Sequence, residues 1–258
     1  MTKWNDSLNV AQINALNQRG GRMLSVVDLL DAGTMDLDLA SALCALVARG
    51  VSFLSGAVPG GAGKTTIMAA ILAFLPPDME ISTVDGERVI AGADSAGKPG
   101  ARRCYLAHEI GAGHWYGYIW GRAVREYLDL ARRGHMIATG LHADTLPQLR
   151  DILLSPPLGV EEDALATLGF TLFVAADRCG REVRRRVSAV HAGAAADAPA
   201  LFRWDRRSDR FRREADLDAQ VPPAERAALR ELLGNLQRQQ VRRIEDVRAA
   251  YLDSLLRS

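Results

Sequence analysis

Nine consecutive residues, Val58-Pro59-Gly60-Gly61-Ala62-Gly63-Lys64-Thr65-Thr66, have the types and spacing to hold phosphates. Glycines let successive backbone N–H groups turn inward as an anion nest, and a helix starting behind them adds its positive dipole end. Lys64 then reaches the β- and γ-phosphates, and the Thr65 hydroxyl ligates Mg²⁺. The candidate nucleotide contacts are therefore Pro59, Gly60, Gly61, Ala62, Gly63, Lys64, Thr65 and Thr66. Only Lys3, Lys64 and Lys98 are lysines among 32 basic residues, so a lysine at this place carries weight. Val58 stands where Gly-x-x-x-x-Gly-Lys-Thr opens on glycine, and Gly56 lies two residues earlier. A β-branched residue resists positive φ, so the start of this loop departs from the usual one. No Asn-Lys-x-Asp run for guanine is present.

Other reactive side chains are less pointed. His135 and His142 flank an apolar run, but no third residue lies at metal-ligand spacing, and packed or hydrogen-bonded histidines are commoner. His108-Glu109 is followed by Ala112 where His-Glu-x-x-His needs its second histidine. The cluster Trp115-Tyr116-Gly117-Tyr118-Ile119-Trp120 could stack a base or contact a neighbour, although core or interface packing is the better prior. Cys44, Cys104 and Cys179 are an odd number without a Cys-x-x-Cys pair, which suits buried free thiols.

These residues need a scaffold, and the alternation of short apolar runs with helical patterns supplies one. Ser25 to Gly33 and Asp36 to Arg49 read as capped helices, Val51 to Leu54 as a strand, and Thr65 to Leu75 as a helix stopped by Pro76-Pro77. Glu80 to Val84 and Cys104 to Ile110 read as strands, with a small-residue surface loop around Gly92 to Gly100 between them. A helix from Gly121 to Arg133 leads to a strand at Met136 to Thr139, then a helix from Thr145 to Leu154. This order predicts an α/β fold with a mostly parallel sheet covered on both faces. Phe170 to Ala175, Glu182 to Val190 and Leu201 to Trp204 read as an antiparallel extension.

From Pro222 onward Leu229, Leu232, Leu233, Leu236, Val241, Ile244, Val247, Tyr251 and Leu255 repeat at helical spacing, a stripe expected to dock on its own domain. Residues 1–22 show no clear period and read as an arm. The chain has 258 residues, is 48% hydrophobic and 24% charged, and carries net charge +1. That excludes disordered, collagen-like and polycationic classes. The polar N-terminus has no signal-peptide core, and the longest apolar stretch, Ile67 to Leu75, is too short for a membrane span. A soluble cytoplasmic protein is expected.

Residues 22–190 resemble the ATPase domain of the type II and type IV secretion ATPases, the hexameric motors of secretion systems and pili. Leu24 to Thr34 and Arg49 to Gly56 resemble that family's lead-in to the phosphate loop. Leu75-Pro76-Pro77-Asp78 and the strand to Asp85 resemble its approach to an acidic box, and Gly134 to Asp144 resembles its histidine box. The resemblance implies a RecA-like P-loop core at residues 23–215, between an arm at 1–22 and a helical tail at 216–258. It implies ATP and Mg²⁺ as cofactors and a homo-oligomer, hexameric in the family, whose neighbouring subunits complete the site. The helical tail could engage a protein partner, while neither a specific nucleic acid nor a membrane segment is expected. At 258 residues the substantial N-terminal domain that precedes the family's motor is not expected here.

Carried over residue by residue, Asp85 and Glu87 stand for the acidic box near Mg²⁺ and the attacking water. Glu109, with His108 in the place of the family's glycine, stands for the Walker B glutamate that orients or deprotonates that water. An alternative alignment at Tyr118 to Arg122 would put arginine there. His142 and Thr139 are left to sense the γ-phosphate, because Gly140 replaces the usual serine or threonine. Arg102, Arg103, Arg122 and Arg125 are the candidate arginine fingers. The expected activity is Mg-dependent ATP hydrolysis by Lys64, Asp85, Glu109 and His142. The alternatives are a nucleotide-binding regulator or scaffold with little hydrolysis and, with no acceptor site in view, a P-loop kinase.

Overall fold

The computed structural model describes residues 6–17, 20–58, 61–93, 102–179 and 182–256. Pro59 and Gly60 of the phosphate loop, most of the expected loop around Gly92 to Gly100, and the Cys179 thiol lie outside the described residues. In chain order the helices are α1 (Asp6–Ala15), α2 (Val26–Asp31), α3 (Leu37–Ala48), α4 (Lys64–Leu72), α5 (Glu87–Ala91), α6 (Arg122–Arg132), α7 (Leu146–Leu154), α8 (Glu162–Leu165), α9 (Pro223–Arg238) and α10 (Ile244–Leu255). The strands are β1 (Phe53–Gly56), β2 (Glu80–Thr83), β3 (Arg103–Leu106), β4 (Glu109–Ile110), β5 (Tyr118–Ile119), β6 (Met136–Leu141), β7 (Phe170–Cys179), β8 (Glu182–His191), β9 (Ala200–Asp205) and β10 (Arg210–Arg213).

The sheet runs β10-β9-β8-β7-β1-β6-β3-β2. From β2 to β7 every neighbouring pair is parallel, and β7 to β10 pair antiparallel. The expected α/β fold with a mostly parallel sheet is present, with the strand that feeds the glycine turn at the centre and β6 between it and β3. Its parallel strands are apolar on both faces because both are covered. One face packs on α1 to α4, α9 and α10, and the other on α6 and α7. At the centre, Phe53 of β1 stacks on Phe170 of β7 with ring centroids 4.8 Å apart.

Local signals set several ends as expected. The Asp36 carboxylate accepts the Leu39 amide at 2.9 Å and starts α3, and the Asp28 carboxylate accepts the Ser25 amide at 2.8 Å at the start of α2. Gly33, with φ +65°, ends α2. The tail stripe docks on its own domain: Leu229, Leu233 and Leu236 of α9 and Ile244, Val247 and Tyr251 of α10 are buried in the core.

Two local readings change. Residues 6–15, which showed no period, form α1, whose Asn9 is tied to the sheet edge: its amide donates to Met79 O at 2.9 Å and its oxygen accepts the Ile81 amide at 2.8 Å. A polar anchor of this kind has no hydrophobic periodicity to announce it. The strand expected over Cys104 to Ile110 breaks at residues 107–108, so that β4 leaves β3 and pairs instead with β5 and the end of β6. Of the cysteines, Cys44 and Cys104 are free and buried, and burial pushes both thiols up.

Candidate active site

The carboxyl ends of β1, β3 and β6 open on one side of the sheet, where open α/β folds bind ligands. After β1 the chain turns through Gly61 (φ +86°) and Gly63 (φ +111°) into α4, whose first residue is Lys64. These left-handed conformations are open to glycine and strained for other residues. Gly56 has a different use from phosphate binding. A β-carbon there would lie 2.4 Å from Ala143 O and 2.7 Å from the Phe173 ring, so its glycine lets β1 approach the segment after β6.

Lys64 is buried and extends along β6 above Gly140, whose added β-carbon would sit 3.4 Å from Lys64 Cε. The lysine ends between Glu109 and His142. Lys64 Nζ lies 3.4 Å from Glu109 Oε2 and 3.5 Å from His142 Nδ1, and His142 Nε2 lies 2.9 Å from Glu109 Oε1. A charged lysine donates to Nδ1, which leaves the imidazole proton on Nε2 to be donated to Glu109. Burial pushes the Lys64 ammonium down in pKa, and the adjacent Glu109 charge opposes that shift.

The break before β4 is what brings Glu109 here. The amides of His108 and Gly111 donate to Gly117 O at 2.7 Å and Ile119 O at 3.0 Å, holding β4 against the returning β5. Gly117 has φ +76°, and a β-carbon on it would lie 2.5 Å from His108 Cγ, so only glycine lets the loop close over that ring. His108 is buried and meets Tyr116 edge-on at 5.3 Å, and burial lowers its pKa. Trp115, Tyr116 and Trp120 remain exposed.

The resulting cleft has a volume of about 220 Å³. Gly61, Gly63, Lys64, Thr65, Thr66, His108, Glu109, Tyr118 and His142 line it, together with residues that no motif indicated: Leu16, Asn17 and Met23. Leu16 and Asn17 arrive at the end of α1, and Tyr118 arrives with β5. Tyr118 stood out in the sequence through its aromatic cluster, and His108 through its place before Glu109.

Other candidates sit elsewhere. Asp85 is exposed just past β2, at the far edge of the sheet from β1, and Glu87 is exposed at the start of α5; neither lines the cleft. Thr139 is fully buried within β6, with its hydroxyl 3.4 Å from Gly140 O. Arg102 donates to Gly134 O and Gly50 O, Arg103 pairs with Glu80, Arg122 pairs with Glu126, and Arg125 donates to Leu158 O. None of the four arginines lines the cleft. Arg122, the alternative occupant of the Walker B position, is thus outside it, and Glu109 is inside.

Oxygen donors for a hard divalent cation are present in the cleft: the Thr65 hydroxyl at the start of α4 and the Glu109 carboxylate. The set fits Mg²⁺ bound largely through phosphates and water, not a cage of protein ligands. Consistent with this, no group of three or more His, Cys, Asp or Glu residues is arranged to hold a metal among the described residues.

No protein-family model and no curated protein matches the chain. Among solved structures, it is similar to the VirB11 ATPase from the Brucella suis type IV secretion system, in complex with sulphate, at 17% identity and TM-score 0.43. That match covers 70% of this chain and 61% of the other. It is also similar to the Legionella pneumophila ATPase DotB, at 16% identity and TM-score 0.42, covering 81% of this chain and 57% of that one. The first is the kind of protein the sequence motifs resemble. The chain thus spans about three fifths of the length of these proteins. With both scores below 0.5, the functional argument rests on the residues of the cleft.

Proposed function

We propose that the protein binds ATP with Mg²⁺ and hydrolyses it as the motor domain of a secretion or pilus ATPase does. The observation that carries this reading is the convergence of Lys64, Glu109 and His142 beside the glycine turn. Three segments far apart in sequence, the start of α4, β4 and the residue after β6, deliver a phosphate-seeking cation, a carboxylate and an imidazole to one cleft. Backbone N–H groups of the loop and the Lys64 ammonium hold the β- and γ-phosphates, and Mg²⁺, which the Thr65 hydroxyl would hold directly and Glu109 through water, would supply neutralisation of phosphate charge. Glu109 accepts the proton of the attacking water, and the His142 Nε2–H orients the carboxylate and senses the γ-phosphate. A γ-phosphate in the cleft would compete with Glu109 for the Lys64 ammonium, 3.4 Å from Glu109 Oε2, and so would loosen the tie on the base.

The domain boundaries at 1–22, 23–215 and 216–258 and the cytoplasmic setting belong to this proposal. So does a ring of copies in which a neighbour supplies the arginine that the cleft lacks. No helix among the described residues is long and apolar enough to cross a membrane. The exposed placement of Asp85 supports a second reading, a nucleotide sensor with little turnover.

Phosphate release by the intact chain, measured with and without Mg²⁺, separates the two. Lys64→Ala should abolish nucleotide binding, and Glu109→Gln should bind ATP without turning it over. Turnover that survives Glu109→Gln removes Glu109 as the base, and a chain that binds no ATP removes both readings.

A further inference from the structure

The cleft accounts for one flank of the phosphate loop. On the other flank lies a larger cavity of about 610 Å³, walled by α2, the start of α4 and β8. The two cavities share Gly61, Gly63 and Thr66, so a single molecule laid across the loop reaches both. The volume lies within the roughly 300–1,000 Å³ typical of small-molecule sites. Leu29 and Ile67 give the cavity an apolar wall, and Leu24 and Val183 stand exposed at its rim.

Three consecutive arginines of β8 border the cavity, and strand alternation separates them. Arg186 makes two hydrogen bonds to the Asp209 carboxylate, at 2.8 and 2.9 Å, and a third to Ala32 O, while Arg184 lies 3.9 Å from the same carboxylate. Arg185 points to the other side of the strand and passes over the phosphate loop: a β-carbon on Gly63 would lie 3.5 Å from its Cδ. No carboxylate among the described residues is ion-paired with Arg185. Asp28, the acid bordering the same cavity, is bound by Arg22 and Arg242. The cavity therefore combines an apolar slot, a shared phosphate turn and a cation without a carboxylate.

We propose that this second cavity holds the base and ribose of a nucleoside di- or triphosphate, and that Arg185 contacts the phosphate nearest the ribose, on the flank opposite Lys64. The proposal rests on the nucleotide-binding reading above and adds a residue and a cavity to it. Lys64 and Arg185 grip the phosphate chain from two sides, and the nucleoside adds affinity by covering Leu24 and Val183, whose apolar surface is exposed at the rim.

Calorimetric titration of the intact chain with ADP, ATP and inorganic pyrophosphate tests it. Native protein should bind ADP at least about tenfold more tightly than pyrophosphate, because pyrophosphate cannot use the second cavity. Arg185→Ala should weaken ADP binding about tenfold or more, the scale of a lost charge-assisted hydrogen bond. Arg185→Lys should recover part of that loss. Arg185→Gln repeats the measurement with the aliphatic stem kept, in case the alanine variant folds poorly. Equal affinities for ADP and pyrophosphate would overturn the cavity's role, and native affinity in the uncharged variants would overturn that of Arg185. Failure of the native chain to bind any of the three ligands would instead remove the nucleotide-binding reading itself.

Discussion

The two ends of α4 meet cations in opposite electrical settings. At the carboxyl end, unsatisfied carbonyls make the negative pole of the helix, and the buried Arg248 guanidinium donates to Ala73 O and Leu75 O there. Asp6 of α1 accepts from Arg248 Nε at 2.9 Å and balances the charge, and Tyr251 lies 5.6 Å below the guanidinium. At the amino end, Lys64 is a cation at the positive pole, in a place where an anion belongs. Glu109 offsets that cost in part. The two ends differ accordingly: the end whose charges already match is closed by α1 and α10, and the mismatched end is an open cleft whose electrostatics suit an anion.

Breaking each end should therefore have distinct effects. The largest is expected at the cleft, where Glu109→Gln should lower phosphate release by about 10²- to 10⁴-fold, the range for a removed general base, with ATP affinity kept. Arg248→Met should cost about 3 kcal/mol in urea unfolding, because it leaves Asp6 and two helix carbonyls without their partner. It should leave nucleotide affinity near native, and a large loss of affinity would show that the two ends are coupled.

A third break uses acid. Burial alone would raise the Asp28 carboxyl, but hydrogen bonds from Arg22, the Ser25 amide and Arg242 outweigh it and hold the pKa at about 2, below the ordinary 3.8. The folded protein then binds fewer protons than the unfolded chain, so this contribution is present above about pH 4 and is lost as pH falls towards 2. Thermal melts across that window should show a steep fall that Asp28→Asn flattens. The smallest effect sharpens the cleft itself. Gly140→Ser places a β-carbon 3.4 Å from Lys64 Cε, and its hydroxyl must crowd the lysine stem. A loss of about 1 kcal/mol in ATP binding is expected, read by titration.

Much of the scaffold was legible because it was written locally. Ser25, Asp36, Gly33 and Thr145 mark helix ends by chemistry that acts within three or four residues, and the apolar runs of the parallel strands are too short and too bounded to be anything else. The phosphate turn was legible for the same reason. Family resemblance named Glu109 and Lys64 as candidates, but their 3.4 Å pairing and its cause were not legible. It depends on the β3–β4 break, which β5 and Gly117 impose from later in the chain. Asp85 shows the converse: a carboxylate at a strand end looks the same in sequence whether its strand is central or at the edge. Leu16 and Asn17 carried little signal because the buried face of α1 sets the polar Asn9 beside only Ile13 and, just past its end, Leu16, too few apolar positions to read as a stripe.

The Asp6–Arg248 contact joins positions 242 residues apart. Contacts of such long range form after more local ones, because loop closure must precede any gain from them. The clamp at the closed end of α4 is therefore expected to form late in folding and to be unformed in the transition state. Its loss in Arg248→Met should appear almost entirely as faster unfolding, with the folding rate left near native. On that expectation the ion pair sets how long the core stays folded more than how quickly it forms.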